Sequence, residues 1–298
     1  MRRFTSGKSG AASVSVISNS LLVALKLAAG LLSGSVSILS EAIHSSIDLI
    51  AALIAFFSVR FSSKPADKIH PYGHGKIENV SGVTEGLLIL VAAVMIIREA
   101  VLRILHPAPV GFGAVAACVM LFSAVVNFFV SRFLFKTAKQ EDSIALEADA
   151  LHLKTDVWTS LGVAVGITLI TLFPAVPILD PIVAILVACL IIKEAFSLCR
   201  NAFSPLLDSK LSDEEEKKIA AVIENYRCKI VDFHSLRTRK SGSVKYIDFH
   251  LTVAHEMTVE QSHSLCEQIE CDLEAAICHT NVNIHIEPDN LDTQEGRL

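Results

Sequence analysis

Charged residues are scarce in this chain. Asp, Glu, Lys and Arg make up 19% of its 298 residues, 52% are hydrophobic, and the mean hydropathy is +0.51. Soluble domains carry about 25% charge, which argues against an ordinary cytosolic enzyme. There is no Lys/Arg stripe, which rules out nucleic-acid binding as the main business. The seven cysteines form no C-x-x-C pair and read as small buried hydrophobes or free thiols in a reducing compartment. The H-E-x-x-H motif of a metalloprotease is missing, because Val259 stands where His is needed after His255-Glu256. No internal repeat or low-complexity tract occurs. The first apolar run lacks a clear small-x-small cleavage site, so it reads as a retained span.

The charge that is present is unevenly spread. Residues 209–298 hold 17 of the 31 Asp/Glu and 10 of the 26 Lys/Arg, a balance of −7, and the first 208 residues come to +2. Two regions with different solvents follow: a membrane domain over 1–208 and an acidic soluble domain over 209–298.

Six apolar runs are long enough to cross about 30 Å of hydrocarbon, at about 12–32, 37–59, 80–104, 111–134, 145–172 and 177–199. Arg2, Arg3 and Lys8 precede the first. Arg60, Lys64, Lys68 and Lys76 follow the second, Arg132, Lys136 and Lys139 the fourth, and Arg200 the sixth. Positive-inside logic puts both termini in the cytoplasm, with Arg98 and Arg103 snorkelling at the far side. The tail reads as helix (212–226), strand (229–239), strand (244–254), helix (258–277), strand (282–286). This αββαβ order predicts two helices on one face of a three-stranded sheet.

Titratable residues inside spans are expensive and therefore functional candidates. The second span carries His44-Ser-Ser-Ile-Asp48 and the fifth His152-Leu-Lys-Thr-Asp156. Spacing of i,i+4 puts each pair on one helical face. Together they offer two imidazoles and two carboxylates, a set that suits tetrahedral Zn²⁺. The other reading is a structural polar network. Lys26, Glu85 and Asp149 are further polar residues at span depth, open to a role along a water-filled path or to packing; Asn127 and Ser123 read as interhelical hydrogen bonders. Asp67, His70 and His74 fall within eight residues around Pro71, Gly73 and Gly75, as a second metal site or a solvated loop. His234, His250, His263, His285 and Glu287 are either a tail cluster across a dimer interface or scattered surface residues.

Three strings resemble the signature of the cation diffusion facilitator family: Lys64-Pro-Ala-Asp67-Lys-Ile-His70-Pro-Tyr-Gly-His74-Gly-Lys76-Ile-Glu78, Ser40-Glu-Ala-Ile-His44-Ser-Ser-Ile-Asp48, and Glu147-Ala-Asp149-Ala-Leu-His152-Leu-Lys-Thr-Asp156. The tail strings His234-Ser-Leu-Arg237-Thr-Arg239 and His285-Ile-Glu287-Pro288 extend the likeness over nearly the whole chain. The resemblance implies a homodimeric inner-membrane antiporter with a metallochaperone-like cytoplasmic domain. It implies export of Zn²⁺ (also Cd²⁺) against protons, with Fe²⁺, Mn²⁺ or Co²⁺ export or a membrane-anchored metal sensor as alternatives. It assigns a transport site of His44, Asp48, His152 and Asp156, and a loop site of Asp67, His70 and His74. His234, His250, His263, His285 and Glu287 become a regulatory Zn²⁺ site, and Lys76 with Asp208 a charge interlock. Two departures stand out: His44 where bacterial members often have Asp, and Glu287 where a related pattern has Asp.

Overall fold

The computed structural model describes residues 7–33, 36–105, 114–172 and 178–289. Arg2 and Arg3 lie outside them, and the Arg103 side chain is likewise not described. Six long helices come first: α1 (Lys8–Ser33), α2 (Val36–Ser62), α3 (Lys76–Leu105), α4 (Ala114–Glu141), α5 (Ile144–Leu172) and α6 (Leu179–Phe203). Among the described residues, α1–α4 and α6 are apolar enough over a sufficient length to cross a membrane. Helix α5 concentrates its charge in the first half, at Glu147, Asp149, Lys154 and Asp156; residues 157–172 carry none. The helices run several residues past the apolar windows read from sequence, because their ends continue into polar turns. The chain divides into two compact units, residues 1–203 and 204–298.

In the helical unit, α1 packs chiefly on α2, α3 on α6, and α4 on α5, and α5 also touches α2, α3 and α6. Small residues set the α3–α6 approach. A Cβ on Gly82 would stand 3.1 Å from the Ala202 Cβ, and one on Gly86 2.5 Å from Cys199 Sγ. The spacing is G-x-x-x-G, which lets two backbones come close where lipid supplies no hydrophobic drive.

One buried carboxylate joins four helices at the end where α3 and α5 begin. Glu78, 1% exposed in the first turn of α3, accepts from Ser62 Oγ of α2 at 2.8 Å and pairs with Lys8 Nζ of α1 at 3.1 Å. Its other oxygen accepts from the Ser143 hydroxyl, which precedes α5. A buried charge is tolerable when its lone pairs are filled in this way.

The second unit opens with a short 3₁₀ turn (Ser204–Leu207) and then α7 (Asp213–Glu224), β1 (Asp232–Ser241), β2 (Val244–Val253), α8 (Val259–Ala276) and β3 (Thr280–Pro288). Ser212 with Glu215, and Thr258 with Gln261, close reciprocal capping boxes at the starts of α7 and α8. The sheet order is β1-β2-β3, antiparallel then parallel. Ile247, Phe249, Leu251 and Val253 alternate onto the buried face of β2, against Ile219 and Ile223 of α7 and Leu265, Ile269 and Leu273 of α8. Both helices therefore cover one face and leave the other open.

Glu78→Ala removes an acceptor shared by donors from three other segments. The expected loss is about 3–5 kcal/mol of stability, seen as a lowered midpoint in thermal unfolding of the detergent-solubilised protein. Glu78→Gln, which keeps one acceptor oxygen, should lose less.

Candidate metal centres

The structure gathers three groups of ligating side chains, each made by a different local device. The first lies among the long helices. Nitrogen or oxygen atoms of His44 and Asp48 on α2 and of Asp156 on α5 all fall within 4.8 Å of one another. The i,i+4 spacing aims both α2 side chains at one neighbour. His152 joins through Asp48, its Nε2 standing 3.2 Å from Asp48 Oδ1. Asn127 of α4 donates to Asp156 Oδ2 at 3.4 Å. His44, Asp48, Asp156, Lys26 and Asn127 border a cavity of about 160 Å³, which His152 does not line. The Lys26 side chain of α1, 5% exposed, donates to Ser45 at 2.7 Å. Asp48 is 5% exposed, Asp156 is half-buried and His44 is exposed, so two carboxylates and an ammonium share a small space closed around Asp48 and open at His44. Coulomb attraction for a divalent cation strengthens where water is excluded, which here is at Asp48.

The second group is the turn between α2 and α3. Asp67 Oδ1 accepts the backbone N–H of Ile69 at 2.9 Å and of His70 at 2.6 Å, folding the segment back on itself. His70 Nδ1 lies 3.2 Å from Asp67 Oδ1 and His74 Nε2 lies 3.4 Å from Oδ2. The two rings are 4.5 Å apart, and Gly73, at φ +79°, supplies the left-handed residue that returns the chain to α3. The His70 backbone N–H, first among its causes, holds the Asp67 carboxyl below its ordinary range. The carboxylate is therefore ionised and ready to ligate.

The third group occupies the open face of the sheet. Register places His234 opposite His250 and His250 opposite His285, a row of imidazoles across all three strands. Ring centroids are 5.3 Å apart for the first pair and 4.8 Å for the second. His250 Nδ1 sits 2.9 Å from Glu287 Oε1, and His234 Nε2 sits 3.4 Å from Oε2. An irregularity between His234 and Arg237, with Ser235 at φ +55°, keeps His234 on the row while the rest of β1 shifts by one residue. The hydrogen bond from His250 is the main cause holding the Glu287 carboxyl below its ordinary range.

Not every expected residue joins these groups. His263 lies on α8, on the covered side of the sheet, 3.4 Å from Glu267 with its side chain 71% exposed. Within one chain the sheet separates it from the histidine row. His285 stands in the row, but its Nε2 is 3.9 Å from Glu287, farther than the nitrogens of His250 and His234. Sequence reasoning overlooked Asp232, which stands 3.6 Å from His234 Nδ1. Strand residues at i,i+2 share a face, as His285 and Glu287 do on β3, and the same spacing of Asp232 and His234 on β1 would have found it. It also missed Ser45 and the hub at Glu78. No spacing rule pairs Lys8 with Glu78, seventy residues on, so that contact had no local signal.

Comparison with known proteins gives the following. Residues 12–207 match the cation efflux transmembrane domain, and residues 211–289 match the cation efflux protein cytoplasmic domain. The uncharacterised transporter sll1263 of Synechocystis sp. is 38% identical over 264 residues, 89% of this chain and 85% of that protein. The cation-efflux pump FieF of Shewanella oneidensis is 30% identical over 278 residues, 93% of each chain. A solved chain of CzrB is 34% identical over 27% of this chain and 99% of its own, at a TM-score of 0.26.

The sign of the Glu287 shift gives a test. A lowered folded-state value means the pairing stabilises fully above the ordinary glutamate value of about 4.3. That contribution is lost as pH falls through the lower folded value. Carboxyl ¹³C titration of isolated residues 209–298 should place the Glu287 midpoint below the usual value, and His250→Ala should move it back up.

Proposed function

Since the chain belongs to the cation diffusion facilitator family of cation efflux transporters, we propose that it carries Zn²⁺, and Cd²⁺, out of the cytoplasm in exchange for protons. It is a multi-span membrane transporter and not an enzyme. The observation that carries the choice of ion is the first group: an imidazole and two carboxylates within 4.8 Å, with a second imidazole bonded to one of them. Mixed nitrogen and oxygen donors in small number suit a four-coordinate borderline ion, whereas Mn²⁺ prefers six oxygens. His44, Asp48, His152 and Asp156 are the transport ligands in this reading.

Exchange follows from the same donors. A ligand must shed its proton before it binds metal, so ion and proton compete for the site. Zn²⁺ facing two carboxylates leaves those three charges balanced, and so do two protons. Neither state strands net carboxylate charge in an apolar setting. Helices α2 and α5 carry all four ligands, so they move together when access alternates across the membrane.

Asp67, His70 and His74 form a second ion site on the cytoplasmic side, in line with the Lys and Arg residues on the same link, before the first span and after the fourth and sixth. The histidine row and Glu287 form a third, in a cytoplasmic domain over 209–298 that pairs two copies of the chain. His263, far from the row within one chain, completes a site only with a second copy. These sites regulate and deliver the ion; the four helix residues transport it.

Flux in sealed proteoliposomes tests the reading. The unmodified protein should move Zn²⁺ and Cd²⁺ faster than Mn²⁺, with a rate that responds to an imposed pH gradient. Asp156→Ala should abolish flux in a folded protein, and His44→Asp should relax the preference toward harder ions. His74→Ala should leave slower but measurable flux. Equal Zn²⁺ and Mn²⁺ rates would overturn the assignment.

A further inference from the structure

A second cluster of buried acid lies where α3 meets α5, outside the cavity of the transport ligands. Glu85 of α3 is 1% exposed and Asp149 of α5 is 0% exposed. They lie between the approach of Gly82 to Ile144, where a Cβ would stand 3.2 Å from the isoleucine, and the core cluster that joins Ile89 to Ala148 and Leu151, and the charge of Asp149 acts on Glu85. Ser81 donates to Glu85 Oε1 at 3.0 Å. Among the described residues, Glu85 Oε2 and both oxygens of Asp149 are buried with no hydrogen bond of ordinary geometry, the Ser15 hydroxyl being the donor placed beside Asp149.

The surroundings supply little to neutralise them. Helix α3 offers the Ser81 hydroxyl, and α1 offers Ser15, whose oxygen accepts from Asn19 and whose proton is left for Asp149. Helix α6 meets this stretch of α3 with Ala195, Cys199 and Ala202. On α5, Lys154 is held by Glu194 of α6 at 2.7 Å and 2.8 Å. His152, one turn beyond Asp149, acts on both carboxyls, but its Nε2 already stands 3.2 Å from Asp48 of α2. Two adjacent carboxylates without a dedicated cation cannot both stay ionised in a medium of low dielectric. One proton answers both needs: it removes one charge and gives the vacant oxygens a donor to share. Carboxyl pairs that share a proton are a general solution to this problem.

We propose that Glu85 and Asp149 form a proton-binding site that holds one proton between two carboxyl groups and is distinct from the metal ligands. The site sits on the contact between α3, which packs mainly on α6, and α5, which packs mainly on α4. A helix movement that opens this contact admits water, and the proton then leaves as a hydrated ion. The site thus carries a proton of the exchange that the metal ligands do not. That role rests on the antiport reading above; occupancy by a proton does not.

Infrared spectroscopy of the full chain in lipid, at neutral pH and without metal, tests occupancy. The carbonyl stretch of a protonated carboxyl should be present and should disappear in Glu85→Gln/Asp149→Asn. If the double variant does not fold, the band should move in Glu85→Gln and in Asp149→Asn, because each changes the proton's partner. A band unaltered by these substitutions, or absent from the unmodified protein, overturns the site. Protons released on adding Zn²⁺, read with a pH indicator, test the role in exchange. Fewer protons per ion in the variant support it, and equal release overturns the role. Since the infrared measurement uses no metal, failure of the antiport reading would leave its result intact and separately visible.

Discussion

Burying charge in an apolar interior is the constraint on which the helical unit is built. Each ionisable group among its long helices must find partners or lose its charge, because no water is at hand to solvate it. The protein meets this demand in two grades. Glu78 is satisfied by donors from three other segments and ties helix ends together. His44, Asp48 and Asp156 are only partly satisfied around a small cavity, which leaves room and charge for a cation. Full pairing ties elements together, and incomplete pairing leaves ligating groups around a cavity.

The second unit obeys the opposite rule. Its histidines are half-exposed on an open sheet face, where hydration is cheap and ligands are free to rearrange. What the sheet contributes is spacing. Strand register sets His234, His250 and His285 side by side, and the pleat turns the alternate residues Ile247, Phe249 and Leu251 into the core. A slip of one residue in β2 would send His250 into that core and expose Phe249. The same alternation that makes the fold stable therefore also fixes the histidine row.

Helix and strand use different arithmetic to the same end. On α2 and α5 an i,i+4 pair faces a neighbour because 3.6 residues complete a turn. In the sheet the participants come from three strands, and on β3 from i,i+2. In the turn before α3, Asp67 gathers two histidines only because its carboxylate also accepts the N–H groups of Ile69 and His70. Local hydrogen bonding makes that site without help from distant packing.

Hydropathy and periodicity were enough to read the six long helices, five of them apolar throughout a membrane-crossing length, the αββαβ order of the tail, and the paired residues of each H-x-x-x-D string. These depend on hydropathy, on repeat periods and on short-range capping, all of which are written along the chain. It also held Asp67, His70 and His74 together, since eight residues around two glycines leave little conformational choice. Only the tertiary structure decided which groups oppose one another. The approach of α2 to α5 through Asp48 and His152, the Lys26 contact with Ser45, the Glu78 hub and the meeting of Glu85 with Asp149 all join residues from separate helices. The placement of His263 on the covered side of the sheet belongs with them, because it depends on which face α8 packs against. The physical reason is that a helical period fixes the direction of a side chain on its own axis. The azimuth and depth at which two helices meet are set by close packing at residues such as Gly82 and Gly86, far from the polar groups that this packing brings together.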